Sequence, residues 1–179
     1  TYRSDGLAAD LPVLVATGEG VIEARTESFR ADQPYQNAVL TDFCNECGNC
    51  DTACPTSGTP NTDKPRLYLT EEEFLAQSDN AFMVRSGDDA ATMLGRFDGT
   101  THRLSINGSI DYEGPTIAAT FDQDFRYVSA TGTTSGSDGE ISLEPAAVMY
   151  TVWKGIHDSM PELPTATTGG TRIAAPDLS

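Results

Sequence analysis

"AFMVRSGDDAATMLGRFDGTTHRLSINGSIDYEGPTIAATFDQDFRYVSAT", residues 81–131, is the stretch whose reading decides the fold. Five runs within it carry β-branched and aromatic residues: "AFMVR", "ATMLGRF", "THRLSI", "TIAATF" and "FRYVSAT". They are separated by Gly87-Asp88, Asp98-Gly99, Asn107-Gly108 and Glu113-Gly114-Pro115. Such residues supply the positive φ angles that tight hairpin turns need, so runs adjacent in sequence pair in space. A "TGTTSGSDGE" loop over 131–140 closes the series, and several antiparallel strands in a meander or small sandwich follow.

On the C-terminal side, "EPAAVMYTVWKGIHDSM" places Pro145 in a first helical turn and apolar residues at Val148, Val152 and Ile156, with Met149 and Trp153 one step round. That pattern predicts an amphipathic helix laid on the sheet. The Pro-, Thr- and Gly-rich residues 161–179 carry no periodicity and read as an extended tail. On the N-terminal side, Thr70 and Glu73 have capping-box spacing and open a short helix, "EEEFLAQ". Further back, "PVLVATGEGVIEAR" predicts a hairpin around Gly18-Glu19-Gly20. Its GxG is too short for a dinucleotide fingerprint. The opening "TYRSDGLAADLP", beginning on Thr1, reads as a join or linker within a longer polypeptide.

The chain has 179 residues, 38% of them hydrophobic, enough for one core or a core with a smaller lobe. Its 27 Asp and Glu against 11 Lys and Arg give a net charge of -16, which repels phosphate backbones and argues against nucleic-acid binding. An Asp-rich, Lys-poor surface suits concentrated salt and equally suits a GC-rich genome. No run of about 18 apolar residues occurs, so no membrane span is expected. Without a signal-peptide layout at the start, the reading is a cytoplasmic protein.

All four cysteines crowd into "TDFCNECGNCDTACP", residues 41–55. Cys44, Cys47, Cys50 and Cys54 stand at C-x2-C-x2-C-x3-C with Pro55 after the last, the bacterial run for a [4Fe-4S] cluster. Thiolates two residues apart on a tight loop can reach successive corners of a cubane, and Gly48 permits the backbone such a loop needs. A four-cysteine zinc site usually separates its two pairs by a longer linker. Disulfides need an oxidising compartment, and a redox dithiol needs a thioredoxin-like setting. In two-cluster proteins the fourth cysteine serves the other cluster. With one run here, Cys54 is expected to complete the same cluster.

The string "DFCNECGNCDTACPTSGTPNTDKPRLYLTEEEF", continued by "SDNAFMV", resembles the C-terminal iron-sulfur region of the selenate reductase iron-sulfur subunit family. Those are long flavin- and NAD(P)-linked proteins related to the glutamate synthase small subunit and to dihydropyrimidine dehydrogenase. The resemblance spans roughly residues 40 to 130 and matches the four cysteines one by one. It implies electron transfer between a reduced pyridine nucleotide, flavin and iron-sulfur centres, and a partner reductase or molybdenum-containing subunit. FAD and NAD(P)H would belong to other portions or subunits of such a complex, because their binding segments are absent from these residues.

Other candidates are weaker. His102 in a strand run and His157 late in a helix read as structural. Asp88-Asp89 and Asp122-Gln123-Asp124 lack the Gly and terminal Glu of a calcium loop and read as acidic turns. Lys64 and Arg66 either offset cluster charge or pair with Asp42 and Asp63. Phe43, Tyr68 and Phe74 are expected to exclude water from the cluster.

The sequence therefore predicts an α+β fold: a ferredoxin-type cysteine loop plus a small antiparallel β meander or sandwich and a C-terminal amphipathic helix. Residues 1–40 form a linker and hairpin, 41–80 the cluster-binding segment, 81–160 a β-rich lobe with its helix, and 161–179 the tail. The function expected is single-electron transfer through one [4Fe-4S] cluster inside a larger oxidoreductase complex, without substrate chemistry of its own. The alternatives are a structural or interaction module, stapled by the cluster or by zinc, and a cluster-based redox sensor.

Overall fold

A computed structural model describes residues 1–4, 6–17, 20–53, 63–86, 91–132 and 139–160. Thirteen strands, β1 (Tyr2–Arg3), β2 (Ala8–Thr17), β3 (Gly20–Arg30), β4 (Tyr35–Gln36), β5 (Val39–Leu40), β6 (Arg66–Leu67), β7 (Ala81–Ser86), β8 (Ala91–Phe97), β9 (Thr100–Asn107), β10 (Ser109–Glu113), β11 (Ile117–Phe121), β12 (Tyr127–Gly132) and β13 (Glu140–Ile141), dominate them. Three α-helices lie wholly within the described residues, α1 (Asn49–Ala53), α2 (Glu71–Leu75) and α3 (Glu144–Ser159), with a 3-10 turn at Thr41–Phe43.

The α+β expectation with its ferredoxin-type cysteine loop is overturned: the chain is β-rich, built on one eight-stranded sheet in the order β12-β11-β10-β9-β8-β7-β6-β5. The helical signals near the cysteines are short, and both α1 and α2 have five residues. They cannot form a layer of their own, whereas the alternating runs extend into one continuous ladder.

Strands β7 to β12 pair antiparallel with their sequence neighbours. Asp98 and Gly99 adopt positive φ between β8 and β9, and Gly108 does so between β9 and β10, as those turns require. The other end of the sheet is parallel, with Val39 opposite Arg66 and Leu67 opposite Phe82. A separate sheet in the order β13-β2-β3 is dominated by the long β2–β3 hairpin.

One face of the large sheet presents Phe82, Met93, Leu104, Ile110, Tyr112, Ile117 and Phe121 to α3 and to Leu11 and Leu14 of β2, forming the main core. Fully burying each such side chain contributes about 1.5–3 kcal/mol. Pro145 starts α3, where Ser142 Oγ accepts the Glu144 N–H at 3.0 Å. Ala146, Ala147, Met149, Tyr150, Val152 and Ile156 of α3 face inward. At Gly155 the helix meets β1 so closely that a Cβ would overlap the Tyr2 ring. On the opposite face of the sheet, Ala81 and Met83 pack with Tyr68 and Phe74 in a smaller cluster beneath α2. Among the described residues, no helix is long and apolar enough to cross a membrane.

Candidate functional site

The cysteine segment leaves the sheet at the C-terminal end of β5. Thr41 Oγ1 donates to Leu67 O at 2.9 Å, and the Leu69 N–H donates to Asp42 Oδ2 at 3.3 Å. These bonds tie the entry turn to the end of β6 and to the chain just after it. The Cys44 N–H closes the 3-10 turn on Thr41 O at 3.0 Å.

Between Cys44 and Cys50 the backbone turns sharply. Asn45 Oδ1 accepts the Cys47 N–H at 3.3 Å, a side-chain turn that gives this asparagine a local role. Glu46 has φ 51 and Gly48 φ 73, both in the left-handed region. The glycine fills that conformation at little cost, whereas Glu46 adopts it with a Cβ.

Cys44 is half-buried, and Cys47 and Cys50 are exposed. The structure does not gather them: among the described residues, no three His, Cys, Asp or Glu side chains stand together as a metal-ion set. Cys54 lies outside the described residues, as do Asp88-Asp89 and the tail from 161. The donor chemistry nonetheless fits an iron-sulfur cluster, because thiolates are its usual ligands and the left-handed residues let the chain bend between the first three.

The neighbouring candidates fall into place one by one. Arg66 Nη2 donates to Asp79 O at 2.8 Å, and its Nε is buried without a partner among the described residues. Because β5, β6 and β7 run parallel, Asp79 lies at the N-terminal end of this trio and Cys44 at the C-terminal end. Arg66 thus binds the strand entry through its guanidinium, while its charge also reaches Tyr68 beyond β6. Tyr68 and Phe74 are buried together, but Phe43 is 67% exposed and stands outside their cluster. Asp122 Oδ1 accepts the N–H groups of Asp124 and Arg126, both at 2.9 Å, and the Arg126 guanidinium lies 3.1 Å from Asp124. That acidic turn is satisfied from within.

His157 stacks on Trp153 at 5.0 Å in the last turn of α3. His102 is buried, with Nδ1 2.5 Å from the Tyr112 hydroxyl and Nε2 3.0 Å from Thr100 Oγ1. Burial pushes its pKa down, against a smaller opposing pull from Asp98. The pairing of His102 with Tyr112 escaped the sequence reading, although both occupy inward positions on adjacent strands. A depression of about 450 Å³ on the outer sheet face, lined in part by Arg103, Asp111 and Thr120, is occupied with its own bonds, such as Thr120 Oγ1 to Asp111 Oδ1 at 2.9 Å.

No family profile matches this chain, and no solved structure resembles it significantly. Two curated relatives do, both named "Putative oxidoreductase YgfK", from Escherichia coli strain K12 and from Escherichia coli O157:H7. Each is 38% identical over 50 residues, which is 28% of this chain. The match spans 5% of either relative's length.

Proposed function

We propose that this chain is an iron-sulfur electron-transfer domain or subunit, holding one [4Fe-4S] cluster on Cys44, Cys47, Cys50 and Cys54. The observation that carries the proposal is the spacing of four cysteines within eleven residues, followed by Pro55. The exposure of Cys47 and Cys50 adds support, since a carrier must bring its centre near a partner's surface. When bound, the cluster supplies one-electron transfer at a potential set by its ligands and surroundings. The chain's own contribution is to present the thiolates. Asn45 fixes the Cys47 amide, Gly48 turns the loop, and Thr41 and Asp42 anchor its entry to residues 67–69.

The likeness to relatives named as oxidoreductases, far longer than the matched segment, supports a place within a larger redox assembly. Its flavin- and NAD(P)-binding portion or subunit would deliver electrons, and a molybdenum-containing or other reductase subunit would accept them.

Iron, zinc and acid-labile sulfide are measured per chain on anaerobically purified protein, with electron spin resonance before and after dithionite. About four iron and four sulfide per chain, with a signal appearing on reduction, is the expected result. Serine at any of the four cysteines should lower both contents. One zinc without sulfide would overturn the proposal and leave the cysteines as a structural staple.

A further inference from the structure

The cysteine loop and α2 make a common face. Asp42 of the entry turn accepts the Leu69 N–H, two residues before α2 begins. Tyr68, between them, has its pKa raised chiefly by burial, against an opposing pull from the Arg66 charge and with smaller pushes from Glu46 on the loop and Glu73 on the helix. Loop and helix thus each bring a carboxylate within reach of the same tyrosine, with Arg66 of β6 as the cation between them in sequence.

Asp42, Glu46, Glu72 and Glu73 are all exposed and have no ion-pair partner among the described residues. Glu71, by contrast, is held by Arg85 at 2.9 Å. Two large apolar side chains are exposed on these same elements, Phe43 at 67% and Leu75 at 50%. Phe43 immediately precedes the first cysteine. Tyr68 and Phe74 are buried in a cluster that does not include it.

An exposed apolar side chain beside unpaired carboxylates has the composition of a small transient interface, apolar at the centre and charged at the rim. We infer that this face docks a redox protein presenting a lysine- and arginine-rich surface, with Phe43 at the centre and Asp42, Glu46, Glu72 and Glu73 as the steering rim. The inference rests on the electron-transfer reading above and gives its partner a chemistry. Only a cationic surface complements these four charges, and a short-lived contact suits a carrier that must release what it has reduced. Opposite charges accelerate encounter, and salt weakens that steering.

The probe is ferric cytochrome c, a lysine-rich haem protein, titrated against the full chain at about 20 mM and about 300 mM ionic strength. Binding is read by line broadening. The rate of cytochrome c reduction is then followed with the dithionite-reduced chain. Glu46→Lys/Glu72→Lys is expected to weaken low-salt binding about tenfold and to approach the parent at high salt. Phe43→Ala should weaken binding several-fold at both salts. The control, Glu23→Lys/Glu113→Lys, changes net charge equally on exposed strand positions outside this face and should lose far less.

Equal losses in the two charge variants would mean that the whole molecule's field attracts the probe, and would overturn the docking face. Parent-like binding in both Glu46→Lys/Glu72→Lys and Phe43→Ala would overturn it too. Iron and sulfide are measured on the same samples. A chain without a cluster overturns the electron-transfer reading, while the binding comparison, which needs no electron transfer, still decides the face.

Discussion

The Tyr112 hydroxyl donates to His102 Nδ1 across 2.5 Å inside the sheet's inner face. The direction follows from the third member of the group. Thr100 Oγ1 spends its proton on Phe97 O at 2.8 Å, so it must accept from His102 Nε2 at 3.0 Å. His102 is thus neutral with its proton on Nε2, and Nδ1 is left to accept from Tyr112. All of this polarity sits in an otherwise apolar layer, satisfied between two residues of β9 and one of β10.

Acid should therefore weaken the fold through His102. Burial lowers its folded pKa, so below the ordinary value of about 6.5 the unfolded chain takes up a proton that the folded chain resists. Stability is full above that value and falls as pH drops towards the depressed folded pKa. Unfolding free energies from denaturant titrations at pH 7.5 and 5.5 should decrease by at most about 1.4 kcal/mol per pH unit for this group. The dependence should shrink in His102→Asn. An equal slope in the variant would remove His102 as its source.

Gly114 and Tyr112 should be energetically coupled. A Cβ at 114 would stand 2.9 Å from the Tyr112 hydroxyl and 3.2 Å from the carbon bearing it. Gly114→Ala should cost about 1–3 kcal/mol by overpacking. Tyr112→Phe should cost a similar amount, because His102 Nδ1 loses its donor. The double variant should lose less than the sum, by about 0.5 kcal/mol or more, since the atom that clashes is gone. Simple additivity in a double-mutant cycle would contradict this geometry.

Phe125 offers a different test. It is buried at φ 60, a conformation that disfavours a Cβ, yet its ring is stacked between Phe121 at 4.4 Å and Tyr150 at 4.5 Å. The stacking offsets a backbone cost of about 1–2 kcal/mol. Phe125→Ala should lose about 3–5 kcal/mol. Phe125→Gly should lose no more than the alanine variant, reversing the order found at extended or helical positions. Trp153 fluorescence during denaturation provides the readout. A glycine variant clearly less stable than the alanine variant would mean that no strain is stored there.

Much of this architecture was legible because its signals are local. The strand runs at 81–86, 91–97, 100–107, 117–121 and 127–132 and the helix after Pro145 correspond to the alternations and turn pairs read from the sequence. Strand β10 was not read, since "SIDYE" has only Ile110 and Tyr112 facing inward and three polar residues facing out. The parallel edge was invisible for another reason. Val39–Leu40 and Arg66–Leu67 are two-residue strands paired across a long intervening segment, which no local pattern announces. At the cysteines, spacing named the donors, while the exposure of Phe43 followed from how a 3-10 turn aims its last residue and could not be read from composition. The short helix read after Thr70 is there as α2, but with five residues it can only cover part of a sheet and does not make the fold α+β.

Salt should stabilise the molecule as a whole. With a net charge of -16, and with Asp42, Glu46, Glu72 and Glu73 lacking ion-pair partners among the described residues, self-repulsion opposes the compact state. The screening length shrinks from about 30 Å at 0.01 M to about 3 Å at 1 M, which removes most of that repulsion. Surface pairs such as Arg25 with Glu140 at 2.9 Å are screened as well, but an exposed pair of this kind adds little in water. The net effect should be a Tm that climbs with salt, by about 2–4 °C for each kcal/mol of repulsion relieved. Thermal unfolding in 0.01, 0.1 and 1 M potassium chloride, repeated in sodium chloride, measures it. A rise of equal size in both salts is the expected outcome, and a flat or falling Tm would mean that the few exposed ion pairs outweigh the excess of carboxylates.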